Sequence, residues 1–83
     1  MINRDDKVNK LFGERLREER RARRLSQHKL WLISGINTSQ IGKIERGVGN
    51  PSLATVVALA KALELSLDIL IPLDRILQSK QAS

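Results

Sequence analysis

Cysteine is absent from this 83-residue chain, which excludes a disulfide framework and any thiolate metal site. Histidine occurs once, at His28, and on its own is no candidate metal ligand. There is no glycine-rich phosphate loop and no pair of carboxylates placed for acid–base work, so enzymatic activity is not expected. The apolar stretches fall far short of the ~20 residues that span a bilayer. The first residues are polar and charged, with none of the apolar h-region of a secretory signal. Repeats and low-complexity segments are missing too. These absences leave one small cytoplasmic domain with no metal, no cofactor and no membrane association.

Positive charge is what the chain has in excess: 15 Lys and Arg against 9 Asp and Glu, a formal net charge of +6. It crowds the first third, at Lys7, Lys10, Arg15, Arg17, Arg20, Arg21, Arg23, Arg24 and Lys29. Such a balance points to a polyanionic partner. A basic helix also suits an anionic membrane surface, but Glu14, Glu18 and Glu19 are interleaved with these cations, as on a solvated helical face with i,i+4 pairs. Charge alone does not choose the partner.

The stretch Leu25 to Gly47, LSQHKLWLISGINTSQIGKIERG, narrows the choice. It holds two short amphipathic patterns separated by a tight turn at Ser34-Gly35-Ile36-Asn37. Ser26 precedes the first pattern, where its hydroxyl accepts from an unpaired helix N–H. Gly35 follows it and tolerates the left-handed backbone that ends a helix. Asn37 or Thr38 caps the second pattern, Ile41 and Ile44 share one of its faces, and Gly47 closes it. Two short helices turned sharply on each other form a helix-turn-helix, whose second helix fits the DNA major groove.

The remaining chain is helical by its spacing. Val8, Leu11, Phe12 and Leu16 mark a first helix over 8–24. Asn50-Pro51-Ser52 is a turn and helix start with Ser52 as N-cap, and Leu53, Val56, Ala60 and Leu63 form a stripe ending near Glu64. Four helices then close one core from Phe12, Leu16, Leu25, Leu30, Ile33, Ile41, Ile44, Leu53, Val56, Leu59 and Leu63. The predicted organisation is a flexible tail (1–7), a DNA-binding domain (8–64, motif 27–46, second motif helix 38–46), a dimerisation segment (65–79) and a tail (80–83).

Residues 65–77 admit two readings. As helix, Ser66 caps a short turn through Leu70 and Pro72 opens a last helix from Leu73 to Ser79. As strand, Leu65, Leu67, Ile69, Ile71 and Leu73 alternate with polar residues, and Pro72 forbids one continuous helix. A lone strand must pair with the same strand of a second subunit. Either way the apolar surplus, carried by Leu67, Ile69, Ile71 and Leu73, makes this segment the homodimerisation element.

Taken together, FGERLREER, LSQHKL, SGINTSQIGKIERGVGNPSL and ALAKALELSLDIL resemble the phage-repressor (Cro-type, XRE) helix-turn-helix family over Leu11 to about Leu70. The resemblance implies an all-α, compact four- to five-helix lambda-repressor-like domain that binds double-stranded DNA. It implies an ion pair between Arg20 and Glu45, pinning helix 1 to the recognition helix. It assigns base reading to Thr38, Ser39 and Lys43, and phosphate contacts to Gln27, Gln40, Arg46 and Asn50. The function implied is a dimeric transcriptional repressor or controller reading a palindromic operator.

The tail ALELSLDILI is also similar to the end of HipB-type antitoxins, whose dimers close with an intermolecular strand pair. The alternative that follows is an autoregulating antitoxin with a toxin protein as partner. A helical protein-interaction module without DNA binding is the reading from a different class. Two residues depart from the family pattern. Trp31 stands where a small residue is usual, read either as a core residue whose volume Gly42 offsets or as a partner-binding or DNA-stacking aromatic. Ser34 replaces an apolar residue near the turn.

Overall fold

The computed structural model describes residues 4–81, folded as six helices: α1 (Arg4–Ala22), α2 (Gln27–Ser34), α3 (Thr38–Glu45), α4 (Leu53–Leu63), α5 (Leu67–Leu70) and α6 (Leu73–Gln81). Three starts are made by the expected caps. The side chains of Ser26, Asn37 and Ser52 accept from the backbone N–H of Lys29, Gln40 and Thr55, each three residues on. Gly35 ends α2 at φ 81°, a left-handed conformation that costs glycine nothing. α1 and α4 end differently, on Arg24 and Glu64 at φ 55° and 56°. There Leu25 N–H reaches back to the Arg20 carbonyl and Leu65 N–H to the Ala60 carbonyl, closing both helices without glycine.

The core gathers Phe12, Leu16, Leu30, Ile41, Ile44, Leu59, Ala60, Leu63 and Leu70. Each fully buried leucine or isoleucine contributes about 1.5–3 kcal/mol. Leu25 and Val56 pack against this cluster and are only partly buried. Two expected core members lie outside it: Ile33 is 54% and Leu53 72% exposed. Of α2 only Leu30 is buried, whereas the equally short α3 buries Ile41, Gly42, Ile44 and Glu45.

α1 is the hub, touching α3, α5 and α6, while α4 touches α2 and α5. Gly13 makes the α1–α3 crossing possible: a Cβ there would stand 2.2 Å from the Ile44 carbonyl oxygen and 2.9 Å from that of Glu45. The last turn of α3 therefore lies directly on the α1 backbone.

Two expectations are corrected. α1 begins at Arg4 and α6 runs to Gln81, each inside a stretch read as a tail; residues 1–3, 82 and 83 lie outside the described residues. Residues 67–70 are helical, so the strand reading fails. The reason lies in Leu70 and Pro72, both fully buried. A period-two strand would place these even-numbered residues on its opposite face from Ile69 and Ile71, whereas a helical turn followed by proline inserts both beside α1. Pro72 then opens α6, its carbonyl accepting from Ile76 N–H at 3.0 Å. Among the described residues no helix is long and apolar enough to cross a membrane.

Candidate nucleic-acid interface

α3 turns Ile41 and Ile44 into the core and leaves Ser39, Gln40 and Lys43 exposed. Ser39 and Lys43 are four residues apart and Gln40 and Lys43 three apart, so the three share one outward face. Thr38, expected among them, is half-buried at the first position of the helix. Arg46 is exposed just past the helix end. Asn37, Ser39, Gln40, Lys43, Val48 and Asn50 line a shallow open concavity of about 410 Å³.

The pose of α3 is fixed at its C-terminal end. Arg20 Nε donates to Glu45 Oε2 at 2.6 Å and its Nη2 to Oε1 at 3.0 Å, a bidentate fork. Its Nη1 also donates to the Leu25 carbonyl at 2.8 Å, so one guanidinium joins the ends of α1 and α3 to the start of the motif. The hydrogen bond to Glu45 pushes the Arg20 pKa up against the opposing effect of burial. Both residues are buried, and no described buried side-chain N or O lacks a partner. The expected ion pair is therefore present as a satisfied buried unit.

Gln27 is tied to the same pair. Its Nε2 donates to Glu45 Oε1 at 3.1 Å, so one of the donors assigned to a phosphate is spent on the ion pair. Gly42 lies beside it: a Cβ at 42 would stand 3.2 Å from the Arg46 guanidinium and in ordinary contact, at 3.8 Å, with the Gln27 amide. Gly42 faces the polar side chains of Arg46 and Gln27, and its offset of Trp31 volume does not exist. Trp31 is 40% exposed and meets His28 edge-on at 5.4 Å between ring centroids; it is not a core residue.

Asn50 is held from the other side. Asn9 of α1 donates its side-chain amide to Asn50 Oδ1, leaving the Asn50 amide nitrogen, the end that suits a phosphate. Next to it, a Cβ on Gly47 would come within 3.0 Å of Lys10 Cα, which brings the first half of α1 against the loop after α3. Asn9, Lys10 and Val48 belong to this face and were missed by sequence reasoning. The signal for Lys10 was Gly47, whose missing side chain admits the α1 backbone.

The basic front end is divided between tasks. Arg15, Arg20 and Arg23 are committed internally: Arg15 to the Ile69 carbonyl, Arg20 to Glu45, and Arg23 to Glu19 and the Leu63 carbonyl. The excess charge offered outward by this face comes from Lys10, Lys43 and Arg46, all exposed.

Comparison with known proteins places this arrangement. A helix-turn-helix family model matches residues 16–70. The regulator RghRB of Bacillus subtilis is 47% identical over 55 residues, which cover 65% of this chain and 40% of that protein. The control protein C.SmaI of Serratia marcescens is 39% identical over 59 residues, 71% of this chain and 70% of that protein. The crystal structure of the restriction-modification controller protein C.AhdI from Aeromonas hydrophila superposes with a TM-score of 0.72 at 44% identity, covering 75% of this chain and 94% of that one. The chain thus spans less than half of RghRB and nearly all of C.AhdI. These relatives are named as regulators and controllers, and with α5 helical the likeness to a strand-closed antitoxin loses its basis. A toxin partner has no support.

Proposed function

Because the chain belongs to the helix-turn-helix family, we propose that it is a sequence-specific DNA-binding transcriptional regulator, acting as a homodimer that represses by occupying a palindromic operator. The observation that carries this reading is α3 itself. Its end is locked by a buried ion pair to α1, and its outward face presents Ser39, Gln40 and Lys43 in one row. A rigidly held helix with hydrogen-bonding side chains on one face reads base edges, and exposed cations beside it hold phosphates. Lys43 suits guanine O6 and N7, Ser39 bonds either partner, and the Thr38 methyl reaches a thymine methyl if the half-buried side chain meets the groove wall. Arg46, Asn50 and Gln40 anchor the backbone; Gln27 does so only with the amide hydrogen that Glu45 does not take.

The dimer uses the apolar surface left open on α5 and α6. Leu67, Ile69, Leu73 and Leu77 are exposed, and Leu73 and Leu77 lie one turn apart on α6, whereas Ile71 is packed against the core. In the two-fold dimer the α3 helices enter successive major grooves about 34 Å apart. Similarity along nearly the whole of C.AhdI and over most of C.SmaI favours a controller of a restriction-modification system as the specific role.

Selection from a random DNA library, followed by gel shift at several salt concentrations, tests the reading. The expected result is a palindromic consensus bound at least 10³-fold more tightly than random DNA, with log affinity falling linearly in log salt. Equal binding of random and selected sequences overturns it.

A further inference from the structure

The polar groups that fasten α5 and α6 to α1 lie outside the concavity beside α3. Arg15, with only 15% of its side chain exposed, donates from Nη1 to the Ile69 carbonyl at the end of α5. Its Nη2 lies 3.8 Å from Asp74 Oδ1 and its Nε 3.7 Å from Glu18 Oε1. Glu18 in turn takes both terminal nitrogens of Arg75, each at 3.1 Å. Beneath this cluster Leu70 and Pro72 are fully buried.

α1 therefore carries two fastenings. Arg20 holds the end of α3, while Arg15 and Glu18 hold α5 and α6. Residues 15 and 20 are about 140° apart around a helix that turns about 100° per residue. The 19-residue α1 thus lies as a beam between the reading helix and the segment that joins two subunits.

We propose that the Arg15–Glu18–Asp74–Arg75 cluster is a positioning device that fixes the angle between the dimer arm and the reading helix, and so sets which half-site spacing the dimer accepts. The proposal rests on the dimeric DNA-reading function above. The hydrophobic attraction that buries Leu70 and Pro72 is itself non-directional. The Arg75–Glu18 fork and the Arg15–carbonyl bond are directional. In a two-fold dimer, a tilt of the arm within one subunit is repeated in the other, so the separation of the two α3 helices changes twice over. One base pair added between half-sites displaces them by about 3.4 Å and rotates them by about 35°.

The test uses the full chain, the selected palindrome and copies of it with one base pair added or removed between half-sites. Wild-type protein loses affinity on the order of tenfold for either change, the scale of a mismatched base pair. Arg75→Ala and Arg15→Met/Arg75→Ala flatten that profile to less than about threefold while leaving the half-site consensus, from a fresh selection, unchanged. Sedimentation of each variant at the concentration used establishes that it is dimeric. If the double variant does not fold, Arg75→Ala, which alters only a surface pair, carries the test alone. A variant that keeps the wild-type spacing profile overturns the proposal. A wild type that binds no sequence specifically overturns the DNA-reading function itself, and the two failures are told apart by the wild-type lane alone.

Discussion

Gly13→Ala tests the architecture at its tightest point, and the sign of the effect is the test. In an open helix interior, replacing glycine by alanine stabilises by about 1 kcal/mol. Here the added Cβ would stand 2.2 Å from the Ile44 carbonyl oxygen and 2.9 Å from the Glu45 carbonyl oxygen. Ordinary carbon–oxygen contact is about 3.3 Å, so α3 has to retreat from α1 by about 1 Å. Both neighbours are backbone, and no rotamer change relieves the clash. Overpacking of this kind costs about 1–3 kcal/mol and sometimes more. The contact is severe enough to place Gly13 at the upper end, which leaves a net loss of about 2 kcal/mol after the propensity gain. In a domain this small that lowers the midpoint by about 8–16 °C, measured by thermal melting of helical circular dichroism and confirmed in urea. Gly35→Ala is the natural comparison, since no atom lies within 4 Å of its Cβ. It costs about 1 kcal/mol through its positive φ alone. A Gly13→Ala protein that melts at or above wild type refutes the close crossing of α1 and α3.

Three further outcomes are expected. Arg20→Met strands a buried carboxylate and costs about 3–5 kcal/mol in chemical denaturation, whereas Arg20→Met/Glu45→Leu recovers most of that loss; equal losses would show that the pair is not what matters. Lys43→Ala shifts preference at one base pair of the operator by about 1–3 kcal/mol, while Arg46→Ala weakens all sequences alike and lowers the salt slope by about one ion. A reversal of these two patterns in competition gel shifts would exchange their roles. Leu77→Asp, placed on the open stripe of α6, converts the dimer to monomer in sedimentation velocity and weakens operator binding; an unchanged dimer removes α6 from the interface.

The parts of the fold written in local chemistry were legible in the sequence. Ser26, Asn37 and Ser52 cap helices by bonds to residues three positions on, and Gly35 ends α2 by its own backbone freedom, so each signal and its consequence lie within one turn. The Arg20–Glu45 pair was legible only through the family resemblance, because nothing local links positions 25 residues apart. Where the reading failed, a residue had two neighbours to choose between. Ile33 and Leu53 sit at apolar spacing, yet Ile33 near the end of α2 and Leu53 at the start of α4 both stay exposed, so amphipathic period overstated the core. Residues 65–73 alternate well enough for a strand, but the pattern says nothing of the docking site beside α1 that Leu70 and Pro72 fill.

Trp31 and Gly42 show the same limit from the other side. A large residue in α2 and a missing side chain in α3 invite the idea of one volume balancing another, and by size alone the match is plausible. The structure separates them: Trp31 faces outward against His28, and the space at Gly42 is taken by the Gln27 amide and the Arg46 guanidinium. The small residue therefore serves the polar side of α3. Gln27 reaches Glu45 beside it, so the acidic end of α3 is bonded from α1 and from α2 at once. Gly13 and Gly47 act alike, one admitting the backbone of α3 and the other that of α1. Two glycines placed where backbones meet thus admit the pose of α3 by removing atoms, and the charged residues around them hold the pose that results.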